Sequence, residues 1–316
     1  MRSSAQQIVN AHLGVKPGEQ VVVLHDEWRH RIGWAIYEAA REAGAEAILI
    51  EMIERETHGA ALPSAVAAAL AAADVIIAPT SKSMSHTEAR KQATARGARC
   101  ASMPLVTEDM MGRAMGADPL HLKALSQAYT VVLSEASTAL LTSPGGTNCI
   151  FDLSGRQAIS DDGDLTAPGS FGNLPAGEAF IAPIEGKTEG ILVFDGSLSP
   201  DGALPSPASV SVVAGQVTEV VGGPAPGFMS LPERFGPTSW HVAELGIGTN
   251  LLAMITGNVL EDEKVASTAH VAFGNNSSIG GTIDDVASHH DGVIRSVSLE
   301  LDGQLVIKDG RLLLDS

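Results

Sequence analysis

The sequence predicts an α/β protein: a Rossmann-like parallel-sheet domain over residues 1–140, then an α+β domain over residues 141–316 that carries a metal site. Three observations carry the fold. Between residues 20 and 100, short apolar runs (VVVLHD, AEAILIEM, DVIIAP) alternate with longer helical stretches rich in Ala and Glu, the pattern of βαβ units. Helical stretches close near Gly44 and Gly97, where a helix end favours a left-handed residue. Past about residue 140 the texture changes to short strands punctuated by Gly, Pro and Asp (TSPGGTNCIFDLSGR, ILVFDGSLS, SVSVVAGQVTEVVGG), which reads as antiparallel hairpins.

Element by element, the first strand is followed by His25-Asp26-Glu27-Trp28 and not by GxGxxG, so the parallel sheet implies no dinucleotide. The ends of such strands are where open α/β sheets place ligands, and His25 with Asp26 and Glu27 stands there, although a self-solvated charged loop is the commoner outcome. Arg29, His30 and Arg31 add positive charge that would attract a substrate carboxylate, and Met110-Met111 reads as core. In the second half a helix is expected over residues 260–273, because EDEKVASTAHVAF opens with acids and carries an apolar stripe through Val265 and Ala269. The final run alternates apolar and polar residues around Asp302-Gly303, a terminal hairpin.

Composition narrows the function classes. The 316 residues are 44% hydrophobic, enough for a real core. Twenty Lys and Arg against 37 Asp and Glu give a net charge of −17, and no basic run offsets it, so nucleic acid and anionic membranes are excluded as partners. No apolar run is long enough to cross a bilayer, and the first twenty residues lack the apolar core of a signal peptide. Cys100 and Cys149 lie in unrelated apolar contexts, which excludes a disulfide framework or cysteine zinc cluster and suits a reducing cytoplasm.

The densest polar constellation is His289-His290-Asp291-Gly292. In extended backbone His289 and Asp291 share one face and His290 takes the other, so HxD can form a two-ligand clip, although taken alone a solvated loop pair is the commoner outcome. His270, set among small and apolar residues, reads alone as a satisfied core histidine. Together with His289 and Asp291 it makes a two-histidine, one-carboxylate set of the kind that binds Zn, Co, Mn or Fe(II) and leaves positions open for substrate. Glu178, between a Gly/Pro turn and an apolar strand, and Glu244, before a Gly-rich loop, are costly to bury unless paired or bound to metal. Each could instead cap a turn or pair with an arginine. Lys264 reads as a partner of neighbouring acids, with contact to bound water as a second reading, and Asn250 as a turn residue.

The ordered segments NLPAGEAFIAP, AELGIGTN, EDEKVASTAHVAFGNN and HHDGV resemble the aminopeptidase S and aminopeptidase T family of metallo-exopeptidases over roughly residues 100–316. The resemblance implies Glu178, Glu244, His270, His289 and Asp291 as ligands of a two-ion Zn, Co or Mn site, with His290 outside it. Glu178 and Glu244 are then the catalytic pair, one as general base and one between the metals, acting on short peptides or a related amide. It also implies a homo-oligomer that encloses its active sites. Two departures from that family stand out: the amino-terminal half is shorter, and Ser277 stands where the peptidases have a tyrosine, so a stabiliser of the tetrahedral intermediate is missing. The length resembles a related branch, the Fe(II)-dependent dihydroxypyridine ring-cleaving dioxygenases, which implies one iron on His270, His289 and Asp291 with Glu178 as an acid or base beside it. Retention of both glutamates favours the hydrolase of these two readings. A third reading, a binding module that has lost turnover, fits poorly with a complete ligand set.

Overall fold

The computed structural model describes residues 1–314, which divide into two compact units: residues 1–120 with 163–176, and residues 121–162 with 177 onward. The division thus falls at 120/121, not at 140/141, and a later segment returns to the first unit. Pairing explains both. Thr138–Thr142 is held between Asn148–Asp152 and Ser298–Leu301 in the second unit, whereas Phe171–Asn173 runs parallel to Arg99–Pro104, with Cys100 opposite Phe171.

The first unit is the predicted parallel sheet. Its strand order is Glu46–Met52, Gln20–Asp26, Val75–Thr80, Arg99–Pro104, Phe171–Asn173. Val21 to Leu24, Val75 to Ala78 and Cys100 to Ala101 are all buried, as expected for strands covered on both faces. The helix that follows the first strand, His30–Glu42, buries Ile32, Gly33, Ile36, Ala39 and Ala40, one stripe at helical spacing. In the ladder between the first two strands, His25 lies opposite Glu51.

The second unit pairs an eight-stranded with a seven-stranded antiparallel sheet. The larger runs Gln216–Gly222, Ala208–Val213, Glu189–Phe194, Asn148–Asp152, Thr138–Thr142, Ser298–Leu301, Gln304–Lys308, Arg311–Leu312. The smaller runs Gly202–Ala203, Ser197–Leu198, His289–Ile294, Ala269–Gly274, Val242–Gly248, Glu178–Ile181, Ile159–Asp161. One core joins both sheets and the helix Pro119–Glu135, with Leu141, Phe151 and Leu192 from one sheet, Ile181, Leu245, Ile247, Val271 and Phe273 from the other, and Tyr129 and Leu133 from the helix. Fully burying each such side chain contributes about 1.5–3 kcal/mol. The terminal hairpin is present: Leu301 pairs with Gln304, and Asp302 and Gly303 both adopt positive φ, as a tight two-residue turn requires.

The expected helix over residues 260–273 is corrected. Only Val259–Asp262 is helical, capped by the Asn258 side chain on Leu260 N, and Ala269–Gly274 is a strand with all six residues buried. AHVAFG is a short apolar run that suits either period, and its pairing with strands on both sides decides the outcome. Among the described residues no helix is long and apolar enough to cross a membrane.

Candidate metal centre

In antiparallel strands, residues directly opposite one another and residues two apart project to the same side. Four neighbouring strands use that rule to gather the chemistry. Glu178 opposes Gly248, Gly246 opposes His270, and Glu244 and Asp291 both oppose Ala272 from either side, while His289 opposes Gly274. All five sequence-predicted residues therefore share one face with Gly246, Gly248, Ala272 and Gly274, while Leu245, Ile247, Val271 and Phe273 alternate onto the core face. The small residues make the space. A Cβ on Gly246 would lie 1.9 Å from His270 Nε2, so only glycine lets that ring stand where it does.

His270 Nε2 lies 3.1 Å from Glu244 Oε1 and 3.3 Å from Glu178 Oε2; His289 Nε2 lies 3.4 Å from Glu244 Oε2 and 3.6 Å from Asp291 Oδ1. Two donor sets with ligand atoms within 4.8 Å of one another result: Glu178, Glu244 and His270, and Glu244, His289 and Asp291. They meet at Glu244, which turns one oxygen to each histidine. Among the described residues no single set unites His270 with His289 and Asp291, so the three-residue iron set implied by the dioxygenase resemblance is joined through Glu244 instead. His289 Nδ1 donates to Asn275 O at 2.7 Å, which fixes the tautomer and leaves Nε2 as the inward-facing atom.

Lys264 is wholly buried beside this cluster, its Nζ donating to Glu178 Oε1 at 2.5 Å and to Glu263 Oε1 at 2.6 Å, with Asp161 Oδ2 at 3.3 Å. Its pairing with acids is thus the reading the geometry supports. Two of its partners were not candidates from sequence: Asp161 gave no signal, and Glu263 signalled only as the neighbour of Lys264. Burial pushes Glu178 up to about 8, against the pull of Lys264. Burial likewise raises Glu263 and Asp161. For Glu244 burial acts upward too, but hydrogen bonds from His270 and His289 outweigh it and hold the carboxyl down at about 2. Asp291 is also lowered, its burial offset by the charge of His289.

The other candidates resolve as follows. His290 faces away, its Nδ1 3.1 Å from Ser199 Oγ, and burial lowers it to about 4. Asn250 Oδ1 accepts from Leu252 N and Ala253 N, a turn role. Ser277 is exposed, with its hydroxyl donating to Asn275 Oδ1 at 3.0 Å. Met110 and Met111 are core, and Arg31 pairs with Glu108 at 2.9 Å.

The donor set fits a divalent ion. Glu178 Oε2 is buried without a hydrogen-bond partner, and the inward Nε2 atoms of His270 and His289 face only carboxylate oxygens, an arrangement that a cation satisfies. Glu244 with His289 and Asp291, or Glu244 with His270 and Glu178, would hold it.

Comparison with solved structures gives the same fold. The 2,5-dihydroxypyridine dioxygenase of Pseudomonas putida KT2440 matches with a TM-score of 0.81 at 20% identity, covering 100% of this chain and 99% of that one. Wild-type AmpT from Thermus thermophilus matches with a TM-score of 0.73 at 16% identity, covering 99% and 98%. No curated protein matches the sequence. The family model described as NicX, 2,5-dihydroxypyridine 5,6-dioxygenase, matches residues 6–314, and the chain belongs to that enzyme family.

Proposed function

We propose that the protein is a mononuclear Fe(II)-dependent dioxygenase that opens the ring of a dihydroxylated pyridine or a close aromatic relative. The observation that carries this reading is the family match over residues 6–314, which spans every candidate ligand. It reverses the order of the two readings drawn from the sequence, where the hydrolase stood first. A bound Fe(II) would supply the oxygen-activating chemistry, with both atoms of dioxygen ending in the ring-opened product and no external reductant needed. The chain's own residues do the rest. Glu244, His289 and Asp291 would provide donor atoms on one sheet face, with His270 on the other oxygen of Glu244. Glu178, whose Oε2 has no hydrogen-bond partner, would exchange a proton with the ring hydroxyl as an acid or base beside the ion. Lys264 positions it by holding the other oxygen.

A two-ion hydrolase of the aminopeptidase type is the second reading, favoured by the place of Glu244 between two donor sets, where a bridging carboxylate would stand. Anaerobic loading with Fe(II), followed by oxygen uptake with 2,5-dihydroxypyridine, separates the two. One iron per chain and one O2 per ring opened supports the dioxygenase; turnover of an aminoacyl amide at two Zn, Co or Mn ions, with no oxygen uptake, overturns it. We further propose a homo-oligomer acting in the cytoplasm on small molecules, with sedimentation as the check on assembly.

A further inference from the structure

We propose that the first unit carries a second divalent-metal site, formed by His25 Nε2, His30 Nδ1 and a Glu51 carboxylate oxygen, of the chemistry that selects Zn(II). It is separate from the centre described above and shares no residue with it.

The site follows from the register of the parallel sheet. His25 and Glu51 are directly opposite in adjacent strands, so their side chains leave the sheet on the same side. His30 opens the helix that follows the first strand, and its ring meets that of His25 edge-on at 5.4 Å between centroids. One ligand atom from each of the three residues lies within 4.8 Å of the other two. Glu51 Oε2 is 3.3 Å from His30 Nδ1 and 3.8 Å from His25 Nε2. A tetrahedral ion with bonds of 2.0–2.1 Å spaces its ligand atoms by roughly 3.3–3.4 Å, a spacing the Glu51–His30 pair meets and the Glu51–His25 pair exceeds by a few tenths of an ångström.

His25 is what distinguishes this group from an incidental surface cluster. Its side chain is 1% exposed, yet Nε2 has no hydrogen-bond partner, a costly state for a buried polar atom. Nδ1 is paired with the Asp26 carbonyl at 2.9 Å, where it can only donate, so Nε2 carries the lone pair and faces Glu51. That is the arrangement of a ligating histidine held by a backbone carbonyl. The ring is also fixed sterically: a Cβ on Gly33 would lie 2.6 Å from His25 Cδ2, so glycine in the helix lets the imidazole sit against it. His30 and Glu51 are each more than half exposed, so solvent reaches the group and can supply a fourth, water ligand.

Two imidazoles and one carboxylate suit Zn(II), or Co(II) as its spectroscopic stand-in, over Mg(II) or Ca(II), which call for more oxygens. Bound there, the ion ties the strand Glu46–Met52 to the start of the helix His30–Glu42.

The test uses the full chain stripped of metal and titrated with Zn(II) alone, with bound metal counted per chain and Co(II) absorption as a second readout. His30→Ala and Glu51→Gln, both at exposed positions, should each lower bound Zn(II) by one equivalent and remove one set of Co(II) bands, with an unchanged circular dichroism spectrum. The double variant should lose one equivalent and not two, because the residues serve one site. Asp291→Asn should leave that equivalent in place while weakening metal at the other centre. If the folded His30→Ala and Glu51→Gln chains hold as much Zn(II) as the unaltered chain, the site does not exist.

Discussion

Replacing Lys264 by Met removes a buried cation while nearly conserving side-chain volume, and the carboxylates it serves make the consequence calculable. Nζ is within 2.6 Å of Glu178 and Glu263 and 3.3 Å from Asp161, and the lysine is fully buried. Removing one partner of a buried ion pair costs about 3–5 kcal/mol, because the remaining charge has neither water nor counter-ion. In a domain of 150–250 residues each kcal/mol moves the midpoint by about 2–4 °C, so Lys264→Met should lower Tm by roughly 6–20 °C. The deficit should depend on pH in a defined sense. Glu178 stands at about 8 with Lys264 in place, and without the lysine it rises further, so above about pH 8 the folded variant keeps a proton that the unaltered chain begins to release and that the unfolded chain loses above about 4.5. Its stability then falls faster than that of the unaltered chain as pH rises. Calorimetry of metal-free protein at pH 5.5 and 8.5 should give a small deficit at the lower pH and a large one at the higher. A loss below about 2 °C at pH 8.5, or a larger deficit at pH 5.5, would refute the claim that the ammonium neutralises this acid cluster.

Three further outcomes follow from the same geometry. Gly246→Ala puts a methyl on the His270 ring, at 1.9 Å from Nε2 with no strain from a positive φ, so it should cost about 1–3 kcal/mol as overpacking and abolish activity by turning the ring. Gly112→Ala, which meets nothing within 4 Å, is the control, and retained activity in the first variant would count against the placement of His270. Glu244→Gln should strip metal from the whole centre, whereas Glu178→Gln should retain an ion held by Glu244, His289 and Asp291 but lower kcat; equal metal loss in both, by elemental analysis, contradicts the sharing of Glu244. Cys100 and Cys149 are buried with thiols pushed up to about 12, so thiol reagents should label neither at pH 9 in the folded protein and both after denaturation.

How much of this was legible in the sequence depended on whether a feature lives in local periodicity or in pairing. The parallel strands could be read directly, because VVVLHD and DVIIAP are buried on both faces and need no partner to be recognised. HxD was equally legible: alternation places His289 and Asp291 together and sends His290 to Ser199. Ala269–Gly274 was misread because its six residues fit either period and only its neighbours make it a strand. Asp161 and the opposition of His25 to Glu51 were invisible for a related reason, since each is a register fact between segments that no single stretch encodes. The glycines beside His270 and His25 carried a signal that spacing alone does not reveal: Gly246 and Gly33 matter for what packs on them, not for backbone freedom.

Charge bears on the number of ions. Of the five carboxylates around the centre, Glu244 and Asp291 are held low, while burial raises Asp161, Glu178 and Glu263 toward neutrality. Anionic charge is therefore concentrated where Glu244, Asp291 and His289 meet, and one divalent ion matches two carboxylates there. At the other end Lys264 already holds Glu178 Oε1 at 2.5 Å, so a second ion on the same carboxylate would share it with an ammonium. A unit and a divalent charge about 5 Å apart repel by about 7 kcal/mol at an effective dielectric of 20. Glu244 could bridge two ions by its position alone, and Lys264, by holding the Glu178 side, weighs against a second ion there.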